Sequence, residues 1–367
     1  MSSVKTRYRI LIAGGGTGGH LFPAIAVAEK IKEMKPETEI LFVGTKSKIE
    51  GKVVPELGYR FKSIWIKGFS RKFNLENILF PVKLFISLIQ SIVINMKFMP
   101  RVAIGTGGYV SGPAIWGSSV LGAKIILLEQ NSYPGITTRL LERYANEVHI
   151  SFKDSEKYLR RKDRLHLTGN PVRKNLGTEE KEKALKKFGL STGKKILLVI
   201  GGSLGAASIN KAMPAIVNRL EEKGIQVLWQ TGKNYFKKYE NLNGSDIKVL
   251  EFIDDMNAAY SACDLLLARA GATTIAEVLA LGIPSILVPS PNVAENHQYH
   301  NAKSLEEKNA AVLIKDEMLN EELYKRVSEL INTENKLNEL KLNARSLGKP
   351  DAAENIATRA IKYLEAS

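Results

Sequence analysis

A histidine directly follows a run of glycines near the start of the sequence, where residues 14–20 read Gly-Gly-Gly-Thr-Gly-Gly-His. Glycines at the turn from a strand into a helix leave backbone N–H groups open to an anion, most often a phosphate. An imidazole, whose unperturbed pKa is about 6.5, can take up a proton near neutral pH. These residues predict phosphate binding beside acid–base chemistry, with His20 as the first candidate base. A structural role for His20, as a helix cap or a partner of the glycine loop, is the alternative.

The flanking residues predict the strand and the helix that position this loop. An apolar run ends at Ala13, and apolar residues then recur at helical spacing from Ala24 to Met34, with Pro23 near the first turn. The glycines also fit the dinucleotide pattern G-x-G-x-x-G. That reading needs an acidic residue at the carboxyl end of the second strand, and residues 39–45 end without one. A nicotinamide-dependent oxidoreductase is therefore disfavoured.

The second half of the chain repeats this arrangement, since residues 195–200 form an apolar run and residues 201–205 read Gly-Gly-Ser-Leu-Gly. The repeat predicts two α/β domains in tandem. Glycine, proline and charged residues in 169–195 mark the boundary between the two domains. We therefore expect one domain over 1–168 and a second over 169–349. We also expect the last helix, 350–367, to pack back on the first domain. Further predicted elements are strands at 102–104, 124–128, 147–151, 225–230, 247–253 and 264–268, one helix from Ile209 through Leu220, and a surface helix over 153–164.

Positive charge is concentrated in the first half. Residues 1–168 contain 26 Lys and Arg against 13 Asp and Glu, a surplus of 13, whereas residues 169–367 contain 27 against 25, a surplus of 2. Such a surplus suits an anionic partner, either nucleic acid or an acidic membrane surface. The alternative is an ordinary solvated surface.

The most apolar segment, residues 68–100, lies in this basic half. Only 13 uncharged residues separate Lys83 from Lys97, fewer than the roughly 20 that a spanning helix needs. We therefore expect a buried helix, in preference to a helix that touches the bilayer interface with a basic and aromatic rim of Arg71, Lys72, Phe73, Lys83 and Lys97. The basic excess of this half brings the two interpretations closer together. The single cysteine, Cys263, and an N-terminus without the features of a signal peptide predict a cytoplasmic protein.

Several blocks together resemble one enzyme family. They are residues 14–20 with Pro23, Gly-Gly-Tyr-Val-Ser-Gly-Pro at 107–113, Glu-Gln-Asn at 129–131, Gly-Asn-Pro-Val-Arg at 169–173, Gly-Gly-Ser at 201–203, residues 269–277 and Gln298. In this order they are similar to the peptidoglycan N-acetylglucosaminyltransferases that convert lipid I, the undecaprenyl-linked muramyl-peptide, to lipid II. The resemblance implies an α/β fold with two Rossmann-like domains facing a cleft, the GT-B architecture.

The resemblance also implies the partners. UDP-N-acetylglucosamine would be the donor, held mainly by the second domain, and lipid I would be the acceptor facing the first. The enzyme would be peripheral, on the cytoplasmic face of the membrane, with residues 68–100 against an anionic surface. No cofactor and no nucleic-acid partner is expected.

Site residues follow by their positions in the matched blocks. Ser203 would contact the diphosphate, the backbone of Ile253 the uracil, Glu277 the ribose and Gln298 the sugar. The remaining donor residues would be Ala272, Thr273, Thr274, Ile275 and Ala276, with Asn131 and Arg173 completing the site and Thr17, Gly18 and Gly19 approaching both substrates. Leu128 and Leu204 stand where many relatives carry His and Gln. A side-chain role cannot be transferred to either leucine, so Glu129 and Ser203 become the candidates at these two places.

Inverting transfer needs a base for the acceptor hydroxyl and support for the leaving diphosphate. Glu129 is the rival to His20 as base, and its alternative roles are to pair with an Arg or to orient His20.

The proposed donor residues have structural alternatives too: Glu277 also fits a capping box with Thr274, and Arg173 also fits a hinge salt bridge. Helix N-termini after Gly202 and Gly271 would stabilise the diphosphate. No metal site is predicted, because the sequence has no Asp-x-Asp motif.

Two other functions remain open. A UDP-N-acetylglucosamine 2-epimerase of the same fold would need acid–base groups around the donor sugar and no apolar basic patch. A non-catalytic nucleotide-sugar-binding protein recruited to membranes would bind the donor without turnover.

Overall fold

Short apolar runs in the first half of the chain form a parallel sheet of seven strands, counted over the residues that this computed structural model describes: 8–68, 79–202 and 204–366. The strands are β1 (Arg9–Ala13), β2 (Glu39–Gly44), β3 (Arg60–Ser63), β4 (Val102–Gly105), β5 (Lys124–Glu129), β6 (Glu147–Ile150) and β7 (Leu165–Leu167). Their order is β3-β2-β1-β4-β5-β6-β7. The order reverses beside β1, and the crevice outside the carboxyl ends of β1 and β4 is where such sheets bind ligands.

Helices cover both faces of this sheet. They are α1 (Gly18–Met34), α2 (Ile49–Glu56), α3 (Phe80–Phe98), α4 (Ser111–Val120) and α5 (Ile136–Leu141). Side chains alternate along β1, so Ile10 and Ile12 pack into one apolar core while Leu11 and Ala13 pack into the other. A strand buried on both faces reads as a continuous apolar run, which is why the sequence pattern located it.

The second half forms a separate parallel sheet with the order β10-β9-β8-β11-β12-β13. Its strands are β8 (Lys195–Ile200), β9 (Ile225–Gln230), β10 (Ile247–Leu250), β11 (Leu265–Arg269), β12 (Ser285–Val288) and β13 (Val312–Leu313). Its helices are α6 (Lys181–Lys187), α7 (Ala207–Ala212), α8 (Val217–Glu221), α9 (Phe236–Tyr239), α10 (Met256–Ala262), α11 (Ala272–Leu281), α12 (His297–Glu306), α13 (Leu319–Ile331) and α14 (Glu334–Leu347).

The chain divides into two compact units, Met1–Val172 with Lys349–Ser367 and Arg173–Gly348. The last helix, α15 (Ala352–Glu365), belongs to the first unit, where Ile356 and Leu364 join the core beside α1. Gly169 adopts φ +86 as the chain leaves β7, close to Lys349 as the chain returns. Both crossings between the units therefore lie near these two residues.

Three predicted elements are wrong in extent. The helix from Ile209 through Leu220 is broken, because Pro214 lies in a 3-10 turn between α7 and α8. Residues 153–164 form two short 3-10 helices instead of one surface helix, and β10 ends at Leu250 instead of 253. Pro23 lies in the second turn of α1, because that helix begins at Gly18 inside the glycine run.

The prediction that the apolar segment is a buried helix is also wrong. Helix α3 is 19 residues long with mean hydropathy 1.3, sufficient by length and composition to cross a membrane, and only 17% of that stretch is buried. Its buried side chains include the polar Asn95, which donates to the carbonyl of Ala114 and accepts from Ser118, both on α4. Leu84, Ile94 and Phe98 pack on the core of the first unit. The other large apolar side chains face outward as a stripe of Val82, Phe85, Ile89, Val93 and Met96. Of the predicted rim, Lys83 and Lys97 lie on α3, and residues 71–73 lie outside the described residues.

A buried carboxylate fastens α15 to the sheet. Glu147, at the start of β6, accepts hydrogen bonds from Arg359 and Tyr363 of α15 and contacts the His149 ring at 3.1 Å. Burial alone would raise the pKa of this carboxyl, but the hydrogen bonds outweigh burial and hold its pKa well below the usual range.

Replacing Glu147 with glutamine is expected to lower the free energy of unfolding by about 3 kcal/mol, because Arg359 loses its buried partner. A depressed carboxyl pKa stabilises the fold fully above the unfolded value of about 4.3, and this contribution is lost as the pH falls toward the folded pKa. Urea denaturation at pH 7 and pH 4 should therefore show a smaller difference between variant and wild type at the lower pH. The control is Glu354→Gln, a change on α15 that breaks a partly exposed ion pair with Lys30 of α1 and should cost less than about 1 kcal/mol. An equal cost for both variants would contradict this account.

Candidate functional site

Two glycine loops meet at the carboxyl ends of β1 and β4. Gly16 and Gly107 adopt φ of +85 and +96, a conformation that strains other residues. A Cβ on Gly14 would overlap the Thr106 hydroxyl, and a Cβ on Gly108 would overlap the carbonyl of Gly15. The glycines are therefore required by close packing of the two loops as well as by open N–H groups.

His20 lies in the first turn of α1, against the second loop. Its Nδ1 is 3.3 Å from Oγ1 of Thr17, the residue that precedes the helix, and a Cβ on Gly107 would come within 3.0 Å of its Nε2. Thr106 donates to the His20 carbonyl at 2.8 Å. Thr17 therefore contacts the ring, and Thr106 fixes the backbone that carries it. Such positioning suits a base and equally suits the structural alternative.

Glu129, the rival base, is occupied within its own loop. It ends β5, is buried, and accepts the backbone N–H groups of Asn131 and Gly135, each at 3.0 Å. Burial raises its pKa, and hydrogen bonds from Thr138 and these amides oppose that effect. The geometry favours a role for Glu129 in shaping the loop that carries Asn131, whose carbonyl also accepts from Ser155.

A second buried carboxylate, Glu50, supports the glycine loop. It accepts the N–H of Gly16 at 2.9 Å and that of Thr45 at 3.0 Å, joining the loops that follow β1 and β2. A Cβ on Gly15 would overlap this carboxylate. Sequence reasoning missed Glu50 because an acidic residue in the first turn of a helix is common and its long-range partners leave no local signal.

Replacing Glu50 with glutamine should lower kcat/KM about tenfold, because an amide NH₂ would then oppose a backbone N–H and shift the loop that bears His20. Steady-state kinetics measure the effect. Glu56→Gln, an exposed change on the same helix, is the control and should leave kcat/KM within twofold. Equal rates for both variants would remove Glu50 from the positioning of the loop.

In the second unit, a glycine turn follows β8, as predicted. Ser203 lies outside the described residues, and the helix after it begins only at Ala207 and has six residues. This differs from the expectation of a helix N-terminus directly after Gly202. Gln230 links this turn to the loop after β10, because it donates to the Gly202 carbonyl at 3.1 Å and accepts the N–H of Ile253 at 2.9 Å.

Helix α11 begins directly after Gly271, as the sequence predicts. Thr273 Oγ1, in its first turn, is buried without a hydrogen-bond partner among the described residues. Ala272, Thr274 and Ala276 are partly exposed, whereas Ile275 is buried and its side chain does not line a surface. The first turn of α11 therefore offers N–H groups and a hydroxyl to an anion.

Glu277 lies in the second turn of α11, so the capping-box reading is wrong. The helix begins at Ala272, which makes Glu277 the sixth residue instead of the third. Its Oε1 accepts from Nε and Nη2 of Arg173, at 3.1 and 2.9 Å, and its Oε2 accepts from the Tyr260 hydroxyl at 2.8 Å. The structure thus brings together Arg173 and Glu277, both predicted, with Tyr260, which was not.

Gln298 lies in the first turn of α12. Its Oε1 accepts the N–H of Ser290 at 2.9 Å, which fixes the loop after β12. Asn301, one turn later, donates to the carbonyl of Ala270 at 3.3 Å and so ties α12 to the start of α11. These bonds place Gln298 on the loop cluster at the carboxyl edge of the second sheet.

Comparison with known proteins adds family evidence. The models of the glycosyltransferase family 28 N-terminal and C-terminal domains match residues 10–150 and 196–356. The chain is 41% identical over 362 residues, 98% of each chain, to the UDP-N-acetylglucosamine–N-acetylmuramyl-(pentapeptide) pyrophosphoryl-undecaprenol N-acetylglucosamine transferase of Flavobacterium psychrophilum. Among solved structures, MurG of Acinetobacter baumannii superposes with TM-score 0.77 and 26% identity, covering 97% of this chain and 99% of that one. A putative UDP-N-acetylglucosamine 2-epimerase from Listeria monocytogenes, at TM-score 0.70 and 12% identity over 98% and 97% of the two chains, shares the fold.

Proposed function

The chain belongs to glycosyltransferase family 28, among its UDP-N-acetylglucosamine–N-acetylmuramyl-(pentapeptide) pyrophosphoryl-undecaprenol N-acetylglucosamine transferases, and we propose that it carries out this transfer, from UDP-N-acetylglucosamine to lipid I, to form lipid II in peptidoglycan synthesis. The observation that carries the proposal is near-full-length identity of about 40% to such transferases, with the glycine loops and Glu277 placed at the carboxyl edges of two parallel sheets.

The second unit is proposed to hold the donor. The first turn of α11 suits the diphosphate, because its first N–H groups have no partner within the helix, the Thr273 hydroxyl has no hydrogen-bond partner among the described residues, and the helix dipole favours negative charge there. Glu277 is proposed to accept from the ribose hydroxyls, Gln298 to donate to the sugar, and the Ile253 backbone to bind uracil. Because Gln230 already holds the Ile253 N–H, a base bound there must share or replace that bond. Ser203 remains a proposed diphosphate ligand.

The first unit is proposed to activate the acceptor. With Nδ1 of His20 facing Thr17, Nε2 is the nitrogen assigned to take the proton from the acceptor hydroxyl. The acceptor oxygen then bonds to the anomeric carbon of N-acetylglucosamine from the face opposite the diphosphate. The carbon–oxygen bond to the diphosphate breaks, and its electron pair leaves with UDP. A single displacement of this kind inverts the anomeric centre.

The fate of labelled donor tests the proposed reaction. UDP-N-acetylglucosamine labelled in the sugar is incubated with the enzyme alone and with a short-chain lipid I analogue, in buffer containing EDTA. The proposal expects label to move to the lipid only when the acceptor is present. Conversion to UDP-N-acetylmannosamine without acceptor would indicate an epimerase, and unchanged donor in both reactions would indicate a binding protein; either result would overturn the transferase assignment.

We also propose that the enzyme is peripheral, on the cytoplasmic face of the membrane, with the outward stripe of α3 in an anionic interface. The stripe is apolar over five residues, and Phe85 is 64% exposed. Lys83 and Lys97 lie on the same helix, and Lys83 stands 5.6 Å from the ring of exposed Trp65. Apolar side chains rimmed by lysine and an aromatic ring suit the headgroup boundary of a bilayer.

Replacing Phe85 and Ile89 with aspartate should reduce binding to phosphatidylglycerol vesicles at least about tenfold, because two inserted apolar side chains become charged. Vesicle sedimentation measures the bound fraction. The control is Leu342→Asp, which changes a 68% exposed leucine in the second unit. Binding of the double variant at the wild-type level would assign membrane contact to another surface.

A further inference from the structure

A tyrosine hydroxyl supports the Glu277 carboxylate from within the second unit. Tyr260 lies on α10 and donates to Glu277 Oε2 at 2.8 Å. The two residues are only 4% and 3% exposed. A hydrogen bond between two buried side chains on different helices fixes the direction of both, because neither has water as an alternative partner.

The contacts of Glu277 leave a defined acceptor position. An ionised carboxylate offers about four lone-pair positions, two on each oxygen. Arg173 takes both positions on Oε1, through Nε and Nη2, while Tyr260 takes one on Oε2. The remaining position is on the oxygen that Tyr260 orients, so this bond determines where the carboxylate receives another donor.

We propose that Tyr260 is a positioning residue for recognition of the donor's ribose, holding Glu277 so that Oε2 accepts the ribose 2′-hydroxyl. The inference rests on the proposed function, in which Glu277 binds the ribose. Burial and the neighbouring Glu277 charge raise the tyrosine pKa well above its usual value, which keeps the hydroxyl protonated as a donor.

Binding of UDP and of 2′-deoxy-UDP, measured by titration calorimetry, tests this role without requiring turnover. Wild type should bind UDP about 10- to 100-fold more tightly, the size expected for one hydrogen bond to a charged group. Tyr260→Phe removes one oxygen and keeps the ring, and should bind UDP more weakly while binding 2′-deoxy-UDP as wild type does. The preference for UDP should fall below about threefold. Tyr260→Met, a second change that fills space without a hydroxyl, should do the same.

The control is Tyr239→Phe, which alters another buried tyrosine of the second unit, packed on Trp229, and should retain the wild-type preference. Equal weakening of both nucleotides in the Tyr260 variants, or a retained preference, would overturn the positioning role alone. A wild-type enzyme that binds both nucleotides equally would overturn it together with the bond from the 2′-hydroxyl to Glu277. Failure of wild type to bind UDP at all would instead overturn the proposed function.

Discussion

Replacing His20 with alanine is expected to lower kcat at least about a hundredfold while the affinity for UDP stays within twofold of wild type. Loss of a general base removes about 10²- to 10⁴-fold in rate. His20 is in the first unit, whereas the residues proposed to bind the UDP group are in the second, so we expect the affinity for UDP to depend little on His20. Transfer to a short-chain lipid I analogue measures kcat, and titration calorimetry measures UDP binding.

The matched comparison for His20 is Glu129→Gln, which keeps the side-chain shape and removes the charge. Glu129 holds the amides of Asn131 and Gly135, so this variant should lose thermal stability and show a smaller drop in kcat than His20→Ala. If Glu129→Gln loses kcat a hundredfold with an unchanged melting temperature while His20→Ala stays active, the assignment of the base is reversed.

Replacing Glu277 with alanine is expected to raise the KM for UDP-N-acetylglucosamine about a hundredfold, with a smaller effect on kcat. Hydrogen bonds to a charged group contribute about 1.5–3 kcal/mol each, and every 1.4 kcal/mol is a factor of ten in affinity. The ribose does not react, so its contacts act on the ground state and the transition state alike. Steady-state kinetics at saturating acceptor measure the donor KM and kcat separately.

A control distinguishes lost recognition from lost structure, because alanine also leaves Arg173 and the buried Tyr260 without their partner. Glu339→Ala, an exposed change in the same unit, should leave the donor KM unchanged. The KM for the lipid acceptor should remain within twofold in the Glu277 variant. A donor KM near the wild-type value would remove Glu277 from the donor site.

The sequence predicted the family and the fold class, and the comparisons confirm both. Parallel strands buried on two faces read as uninterrupted apolar runs, which is why β1 and β8 were located to the residue. Glycine turns followed by helical spacing predicted the loops at the sheet edges. Each of these patterns lies within a short stretch of residues, so it can be recognised in a single sequence.

Hydrogen bonds between residues far apart in the chain could not be predicted from the sequence. Glu50 and Tyr260 act on residues 34 and 17 positions away, and no spacing rule connects them. Helix α3 was predicted as buried because its apolar content is high, but its buried residues include Ser87, Ser91 and Asn95, of which Asn95 bonds to α4, while a stripe of large apolar side chains is exposed. Composition gives the amount of apolar surface, while packing decides which face is covered.

The anomeric configuration of the product tests the central claim, inverting transfer to lipid I, most directly. UDP-N-acetylglucosamine carries an α-linked sugar, so a single displacement yields a β-linked disaccharide on the lipid. NMR of the purified product, made from a short-chain lipid I analogue, reads the new anomeric centre. We expect one added N-acetylglucosamine in the β configuration, and an α linkage would exclude a single displacement.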